Sequence, residues 1–177
     1  MAEKILSDKI SATVEDYLGV MYVLERDSEP VAGVRLSELL GVTPPTVTNT
    51  LKRMARDGLV TIDAEHHSHL TETGMEAARS VMRRHMLAEW MLTRMLSWSK
   101  VHREAHEFEH AMSSEVEAAL FADLDNPEVC PHGNPFPGFE SLASEWVPLV
   151  DAPVGKSLKV RRIHELAEDN DRILAFL

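Results

Sequence analysis

The sequence has one cysteine, Cys130, and lacks any long apolar run. A single cysteine excludes an internal disulfide and is typical of a reducing compartment. No stretch approaches the about 18 apolar residues of a membrane-spanning helix, and the segment MAEKILSDKI has no apolar signal core. We therefore expect a cytoplasmic protein with no membrane partner.

Positive charge is also scarce, since 18 Lys and Arg face 29 Asp and Glu, for a formal net charge of −11. Residues 1–75 are acidic too, with seven basic against twelve acidic side chains. Phosphate contacts need Lys and Arg, so this balance argues against nucleic-acid binding. Such binding would require a local basic cluster, and it would gain if a ligand neutralised carboxylates first.

Residues 1–75 nevertheless have the pattern of a winged helix-turn-helix domain. Helical periodicity over ISATVEDYLGVMYVLER is followed by the short helix VRLSELLGV, which stops at Gly41. In TPPTVTNTLKRMARDGL, Thr43 is a candidate N-cap and the prolines occupy the first turn. Residues 59–62 and 69–71 read as a hairpin. The alternative is a small helical core without a DNA-binding role.

The second helix of the pair favours DNA binding. Its start offers short polar and apolar groups suited to base edges, and basic side chains follow where phosphates would lie. The candidate DNA-contacting residues are Thr43, Pro45, Thr46, Thr48, Asn49, Lys52, Arg53 and Arg56, with Arg35 on the preceding helix.

The predicted helical domain, residues 76–147, is built on two amphipathic helices. One starts just before it at Glu72 and runs through RSVMRRHMLAEWMLTRML, and the other runs from about Lys100 to Ala122. Helices of this length expose more apolar surface than a small domain can bury, so we expect them to pack against a second subunit. Beyond a loop rich in proline and glycine, SLASEW predicts a short helix. Residues 148–177 then predict a strand over 156–163 and a final helix, too little for an independent domain.

The segment HREAHEFEH, residues 102–110, places His106, Glu109 and His110 at positions i, i+3 and i+4. These side chains can converge on one point of a helix surface, which suits a metal ion and equally suits a solvated helix face. His85 and Glu89, at i and i+4 on the preceding helix, have the spacing of a ligand pair.

The motifs TPPTVTNTLKRMARDGLV, LTETG, VMRRHMLAEWML, KVHREAHEFEHAMSSEVEAAL and CPHGNPFPG together resemble the diphtheria-toxin-repressor family of metal-dependent transcriptional regulators. The resemblance covers residues 13–140 and, more loosely, 156–177. It implies a mainly α protein with a winged helix-turn-helix domain, a helical dimerisation domain and a short partial SH3-like C-terminal segment. It also implies a homodimeric repressor of double-stranded operator DNA, with neither enzymatic activity nor an organic substrate.

The resemblance further implies two metal ions per subunit. The positions that match the primary site are Asp16, His106, Glu109 and His110. The positions that match the ancillary site are His85, Glu89, His102, Glu165 and Glu168. For the last two, an ordinary charged helix face remains the alternative. We interpret His66, His67 and His69 as part of a wing that touches the DNA backbone, Cys130 as an ordinary loop cysteine, and the Met and Trp residues at 86–98 as core or dimer interface.

The family resemblance and the donor set point to Mn²⁺, with Fe²⁺ as the alternative. Iron-type members have Met and Cys where this chain has Asp16 and His106, whereas hard oxygen and imidazole ligands suit Mn²⁺ or Fe²⁺. Asp at position 16 resembles the manganese-responsive members. His106 departs from them, since they commonly carry a carboxylate there, some have Glu at the position of Gly19, and the ancillary site resembles that of the iron-type members.

Two other functions fit parts of the pattern. A metal-dependent hydrolase would need an acid/base pair beside the histidine cluster, and the loops offer none. A winged-helix regulator that senses an organic ligand remains open, with the His and Glu residues purely structural.

Overall fold

The computed structural model describes residues 10–177. Residues 1–9, with most of the MAEKILSDKI segment used above, lie outside the described residues. The chain divides between Arg84 and His85 into two compact units, and each is described by itself. The domain boundaries predicted after residues 75 and 147 stay predictions. Between residues 10 and 177, no helix is long and apolar enough to cross a membrane.

The first unit opens with three helices: α1 (Ala12–Arg26), α2 (Gly33–Leu39) and α3 (Pro44–Arg56). Each buries one apolar stripe, as its sequence period predicts. The buried residues include Val14, Leu18 and Met21 of α1, Leu36 of α2, and Val47, Leu51 and Met54 of α3. The predicted helix-turn-helix pair is confirmed.

The ends of the helix pair follow from local backbone chemistry. Gly41, two residues after α2, has a positive φ of 63°, a region that glycine enters without steric cost. Thr43 occupies the N-cap position of α3, and Pro44 and Pro45 follow where missing N–H groups leave no helical bond unmade. The Thr43 hydroxyl contacts the Thr46 hydroxyl at 2.9 Å and makes no hydrogen bond to the helix backbone.

A two-stranded antiparallel hairpin completes the wing, with β1 at Val60–Ile62 and β2 at Ser68–Leu70. The Asp63 carboxylate closes the turn, since it accepts the His67 backbone N–H at 2.8 Å and lies 2.9 Å from His69 Nε2. The hydrogen bond from His69 is the main reason that the pKa of Asp63 is lowered. The predicted winged helix-turn-helix is therefore confirmed as a fold.

The second unit contains the last turns of α4 (Glu72–Leu92), then α5 (Val101–Glu109) and α6 (Ser114–Asp123). A short helix, α7 (Asp171–Phe176), lies near the end of the chain. Small apolar side chains form a core cluster between α4 and α5, which lets the two helices approach closely. This cluster consists of Ala88, Leu92, Val101 and Ala105.

The prediction of one continuous helix from Lys100 to Ala122 is wrong. α5 ends at Glu109, and a new helix starts at Ser114. The Ser113 side chain causes the restart, because it accepts the Val116 backbone N–H at 3.3 Å as an N-cap. The apolar period continued across this cap, so periodicity alone did not reveal the break.

The strand predicted over residues 156–163 is also wrong. This segment has no ladder partner among the described residues, and its backbone contact with a neighbouring loop is Ile163 N–H to His132 O at 2.9 Å. The two predicted C-terminal helices reduce to one-turn 3₁₀ helices at Glu140–Ala143 and Glu165–Ala167, followed by α7. The SH3-like character of residues 148–177 stays a prediction.

Gly74 tests how tightly α4 packs on the hairpin. A Cβ at this position would lie 1.9 Å from the Leu59 carbonyl oxygen, a backbone atom that cannot move alone. We expect Gly74→Ala to lower the free energy of unfolding by about 1–3 kcal/mol, as overpacking does. In Gly33→Ala, a control in α2, the nearest Val47 methyl is 3.9 Å away, and stability should hold. Equal urea midpoints for parent and Gly74→Ala would contradict this packing.

Candidate metal centre

The first cluster consists of His106, Glu109 and His110, at the C-terminal end of α5. Glu109 is buried, while His106 and His110 are more exposed. Glu109 Oε1 lies 3.4 Å from His106 Nδ1 and 3.7 Å from His110 Nε2. The helical spacing thus brings the three side chains together around one carboxylate oxygen.

Asp16, the fourth residue predicted for this site, belongs to α1 of the first unit and is half-buried. Its neighbour Glu15 is buried within that unit, where it accepts Arg84 Nη2 at 2.7 Å. Successive helical residues point about 100° apart. The carboxylates of Glu15 and Asp16 therefore serve different faces, and the role of Asp16 as a ligand stays a prediction.

The second cluster consists of His85, Glu89, His102, Glu165 and Glu168, and the structure brings all five together inside the second unit. His102 Nδ1 is its centre, at 2.9 Å from Glu168 Oε2, 3.2 Å from Glu89 Oε1 and 3.0 Å from His85 Nε2. Glu165 Oε1 lies 3.4 Å from His85 Nε2. All five side chains are buried, so none of them is a solvated helix face.

His85 joins the two clusters. Its Nδ1 lies 2.6 Å from Glu109 Oε2 of the first cluster, while its Nε2 faces His102 of the second. Glu109 therefore offers one oxygen to His106 and His110 and the other to His85. A change in one cluster can reach the other through a single imidazole ring.

Sequence reasoning missed two residues that the structure adds beside the second cluster, Cys130 and His132. Ligand atoms of Glu89, Cys130 and His132 all lie within 4.8 Å of one another. His132 Nδ1 is 3.1 Å from Glu89 Oε1 and 3.0 Å from Glu168 Oε2. The Cys-x-His spacing in CPHGNPFPG was the sequence feature that could have indicated these two residues. It does not show which other side chains lie beside them.

Two tryptophans hold this loop against the helices. The Trp90 indole donates to Val129 O at 2.9 Å, and the Trp98 indole donates to Pro131 O at 2.9 Å. Gly133 has a φ of 88°, and a Cβ there would lie 1.9 Å from a backbone carbonyl oxygen of the neighbouring segment. The interpretation of the tryptophans as core or interface alone misses this positioning contact.

Asn134 fixes Glu168 from the other side. Its side-chain amide donates to Glu168 Oε1 and to Ile163 O, and its oxygen accepts from Arg162 Nε at 2.6 Å. Asn134 is fully buried. The loop thus sets the position of a carboxylate that follows it by more than thirty residues.

His102 of the second cluster and the neighbouring His132 both have raised pKa values. Burial by itself lowers the pKa of His102, but hydrogen bonds with Glu168 and Glu89 outweigh it and raise the pKa to about 10. Burial likewise opposes charge on His132, and the same two carboxylates raise its pKa to about 10. A cation that takes these nitrogens must displace their protons, so binding releases protons.

The pKa values of two buried carboxylates, Glu109 and Glu168, are shifted in opposite directions. Burial raises the pKa of Glu109, yet His106 and His85 outweigh it and lower the pKa to about 2. Burial and the neighbouring Glu165 charge raise the pKa of Glu168 to about 7. The latter shift marks a place where two carboxylates crowd one another without enough positive charge.

The donor chemistry fits a divalent cation. Glu89 Oε2 and Glu165 Oε2 are buried without a hydrogen-bond partner in the described part of the chain. An unpaired buried carboxylate oxygen is costly, and a bound cation satisfies it. Without a bound cation, burial and the carboxylates Glu89, Glu168 and Glu165 raise the pKa of the Cys130 thiol well above its usual value. The remaining imidazole and carboxylate donors suit Mn²⁺ or Fe²⁺.

The candidate DNA-contacting side chains of α3 are exposed: Thr43, Pro45, Thr46, Thr48, Asn49, Lys52, Arg53 and Arg56. Of these, the Arg56 guanidinium already pairs with Asp57 at 3.0 Å. Arg35, on α2, lies 3.9 Å from a Glu29 oxygen and 3.7 Å from a Glu38 oxygen. The Thr43 and Thr46 hydroxyls contact each other, and the Thr48 hydroxyl donates to Pro44 O at 3.0 Å. α3 thus presents exposed polar groups of which several already have partners, while carboxylates partly compensate the charges of Arg35 and Arg56.

Comparison with known proteins agrees with these features. Residues 9–70 match the family model described as "Iron dependent repressor, N-terminal DNA binding domain". Residues 71–138 match "Iron dependent repressor, metal binding and dimerisation domain". The iron-dependent repressor IdeR of Mycobacterium tuberculosis is 39% identical over 159 residues, which cover 84% of this chain and 69% of that protein.

The diphtheria toxin repressor of Corynebacterium diphtheriae is 40% identical over 158 residues, which cover 84% of this chain and 70% of that protein. A solved manganese-dependent transcriptional repressor in complex with manganese superposes with a TM-score of 0.76 at 31% identity. That match covers 92% of this chain and 76% of the other. The chain therefore belongs to the diphtheria-toxin-repressor family of iron-dependent repressors, and it is a metal-dependent, DNA-binding transcriptional regulator.

Proposed function

We propose that this protein is a homodimeric repressor that binds operator DNA when Mn²⁺ is plentiful and controls genes of metal-ion homeostasis. The observation that supports it best is the arrangement around Glu109. One buried carboxylate meets His106 and His110 through one oxygen and His85 through the other. Without a bound cation, two joined clusters of buried carboxylates and imidazoles cost folding free energy. The same chain has exposed polar and basic side chains on α3 that could contact DNA.

The proposed primary site takes His106 and Glu109 from α5, His110 from the position directly after it, and Asp16 from the DNA-binding domain. A bound Mn²⁺ supplies positive charge that holds carboxylates and imidazoles of different segments together. The recognition helices of two protomers must enter successive major grooves about 34 Å apart. Asp16 is the proposed ligand that restrains α1 for this purpose, while repulsion between Asp16 and Glu109 favours a looser arrangement at low metal.

The second proposed ion lies in the second cluster, so that each subunit takes two. The donors combine imidazoles with hard carboxylate oxygens, and the first cluster and Asp16 contain no sulfur. This composition favours Mn²⁺ or Fe²⁺ over soft ions. Ions such as Zn²⁺ or Cu²⁺ have a higher intrinsic affinity for such donors, so which ion is bound depends on its availability. Fe²⁺ remains a second candidate effector, because Glu165 and Glu168 both lie in the second cluster, as the resemblance to iron-type members implies.

Metal removal gives the direct test. DNA affinity should rise at least about tenfold, or about 1.4 kcal/mol, when Mn²⁺ is added to a chelated sample. The physical reason is that neutralised carboxylates let an acidic protein approach phosphates. Fluorescence anisotropy with an operator duplex selected from random sequence measures this, and a scrambled duplex is the control. Equal affinities with and without metal would favour a regulator that senses an organic ligand.

The reading face of α3 makes a separate prediction. Asn49→Ala should relax base discrimination, because an exposed amide that pairs with a base edge is lost. Arg53→Ala should weaken all sequences alike and flatten the salt dependence, because a phosphate contact is lost. Arg103→Ala on α5 removes the same charge outside the proposed interface and should leave both properties unchanged. Intact specificity in Asn49→Ala would mean that the recognition surface lies elsewhere.

Asp16 tests the primary site. Asp16→Ala should abolish the metal response while the protein remains dimeric, whereas Glu168→Gln should weaken the response without abolishing it. Asp16→Met replaces a hard oxygen with a soft thioether, so it should reduce the response to Mn²⁺ more than the response to Fe²⁺. Operator binding is measured against each free ion, anaerobically for Fe²⁺. If Asp16→Met responds to both ions as the parent does, Asp16 is not a ligand.

A further inference from the structure

Helices α1 and α4 pack closely against each other within the first unit. A Cβ at Gly19 of α1 would lie 3.6 Å from Met82 Sδ and 3.9 Å from Val81 Cγ1, both on α4. Glu15 is one turn before Gly19 on the same face of α1, because residues i and i+4 of a helix share a face. The Glu15 side chain therefore extends from the face of α1 that meets α4.

A buried ion pair joins the two helices at this turn. Arg84 Nη2 of α4 donates to Glu15 Oε1 of α1 at 2.7 Å, and the two side chains are only 8% and 7% exposed. Arg84 Nε also donates to Ser80 O, one turn back on its own helix, at 3.4 Å. The guanidinium is thus held by α4 and aimed at α1. A charge-assisted hydrogen bond of this kind is short and directional, so it fixes the position of one helix along the other.

Each member of the pair directly precedes a residue of the proposed metal sites. Glu15 precedes Asp16 on α1, and Arg84 precedes His85 on α4. Because α4 runs without interruption from Glu72 to Leu92, Arg84 and His85 belong to one continuous helix. A slip of one residue along a helix is about 1.5 Å, whereas ligands must hold positions accurate to about 0.5 Å. The register of α1 on α4 therefore decides where the Asp16 carboxylate lies along α4.

We propose that Arg84 is a positioning residue for the metal response. Through its buried ion pair with Glu15 it sets the register of α1 on α4, and so the place of Asp16. This assignment rests on the proposed function and deepens it, because it names the contact that presents the ligand from the DNA-binding domain. Stability alone does not account for the pair, since two apolar side chains of similar volume are often at least as stabilising as a buried ion pair. The apolar side chains would lack the directional hydrogen bond.

The double variant Glu15→Met, Arg84→Met separates positioning from stability. It removes both charges and keeps long side chains in the interface, so its urea midpoint should match or exceed that of the parent. The free Mn²⁺ concentration for half-maximal operator binding should rise at least about tenfold, because the ion must now also order Asp16. Fluorescence anisotropy of an operator duplex, titrated with Mn²⁺ in the presence of the full chain, measures this concentration. Operator affinity at saturating Mn²⁺ should equal that of the parent.

A second ion pair provides the matched control. Arg26 Nη2 lies 2.9 Å from Asp27 Oδ2 at the other end of α1, with side chains 5% and 17% exposed. Arg26→Met, Asp27→Met should respond to Mn²⁺ as the parent does. Arg84→Lys tests rescue by a retained charge, since an ammonium can donate to the same carboxylate oxygen, and its half-maximal Mn²⁺ concentration should stay within about threefold of the parent's.

Several outcomes would overturn the assignment of Arg84 alone. A parent-like half-maximal concentration in Glu15→Met, Arg84→Met would mean that the pair does not position Asp16, and a lower urea midpoint would mean that stability accounts for the pair. An equal shift in the Arg26→Met, Asp27→Met control, a loss of operator affinity at saturating Mn²⁺, or a shift in Arg84→Lys as large as in the double variant would count against it equally. In all these cases the parent still responds to Mn²⁺. A parent that shows no Mn²⁺ response would overturn both this assignment and the proposed function.

Discussion

The second unit buries the carboxylates of four glutamates, and their electrostatic cost governs the structure around them. Glu89, Glu109, Glu165 and Glu168 are each at most 6% exposed. Isolated ionised carboxylates do not persist in such surroundings. The chain compensates with imidazoles from α4, from α5 and from the loop that contains His132. Where this compensation is incomplete, as at Glu168, the pKa rises to about 7 because burial and the Glu165 charge act together.

The scaffold that maintains this cluster is built from ordinary contacts. Small residues, Ala88 and Ala105 among them, allow close packing between α4 and α5 and so bring their histidines within contact distance. Trp90 and Trp98 each use the indole N–H to hold a carbonyl of the loop. Rigid support of this kind matters for a metal site, since ligands must hold their positions before the ion arrives.

Electrostatics also connects the metal chemistry with DNA recognition. A protein with a formal net charge of −11 can bind DNA, a polyanion, only through a local surface that is not acidic. The surface that we propose on α3 consists of exposed polar groups followed by Lys52 and Arg53. The proposed cations add positive charge to carboxylate clusters elsewhere in the chain. Metal and DNA affinity are then linked, and by reciprocity operator DNA strengthens metal binding by the same factor.

The sequence by itself determined the elements whose causes are local. Helical periods, the prolines at the start of α3, Gly41 and the i, i+4 pair of His85 and Glu89 all follow from short-range geometry. Residues matched to the family then supplied Glu165 and Glu168, which the structure does bring to the second cluster. Only the tertiary structure decided what depends on contacts between distant segments. It placed His132 and Asn134 against Glu168, and it left residues 156–163 without a strand partner. A strand needs a neighbour and a buried carboxylate needs a counter-charge, and chain folding supplies both across separations that no sequence period records.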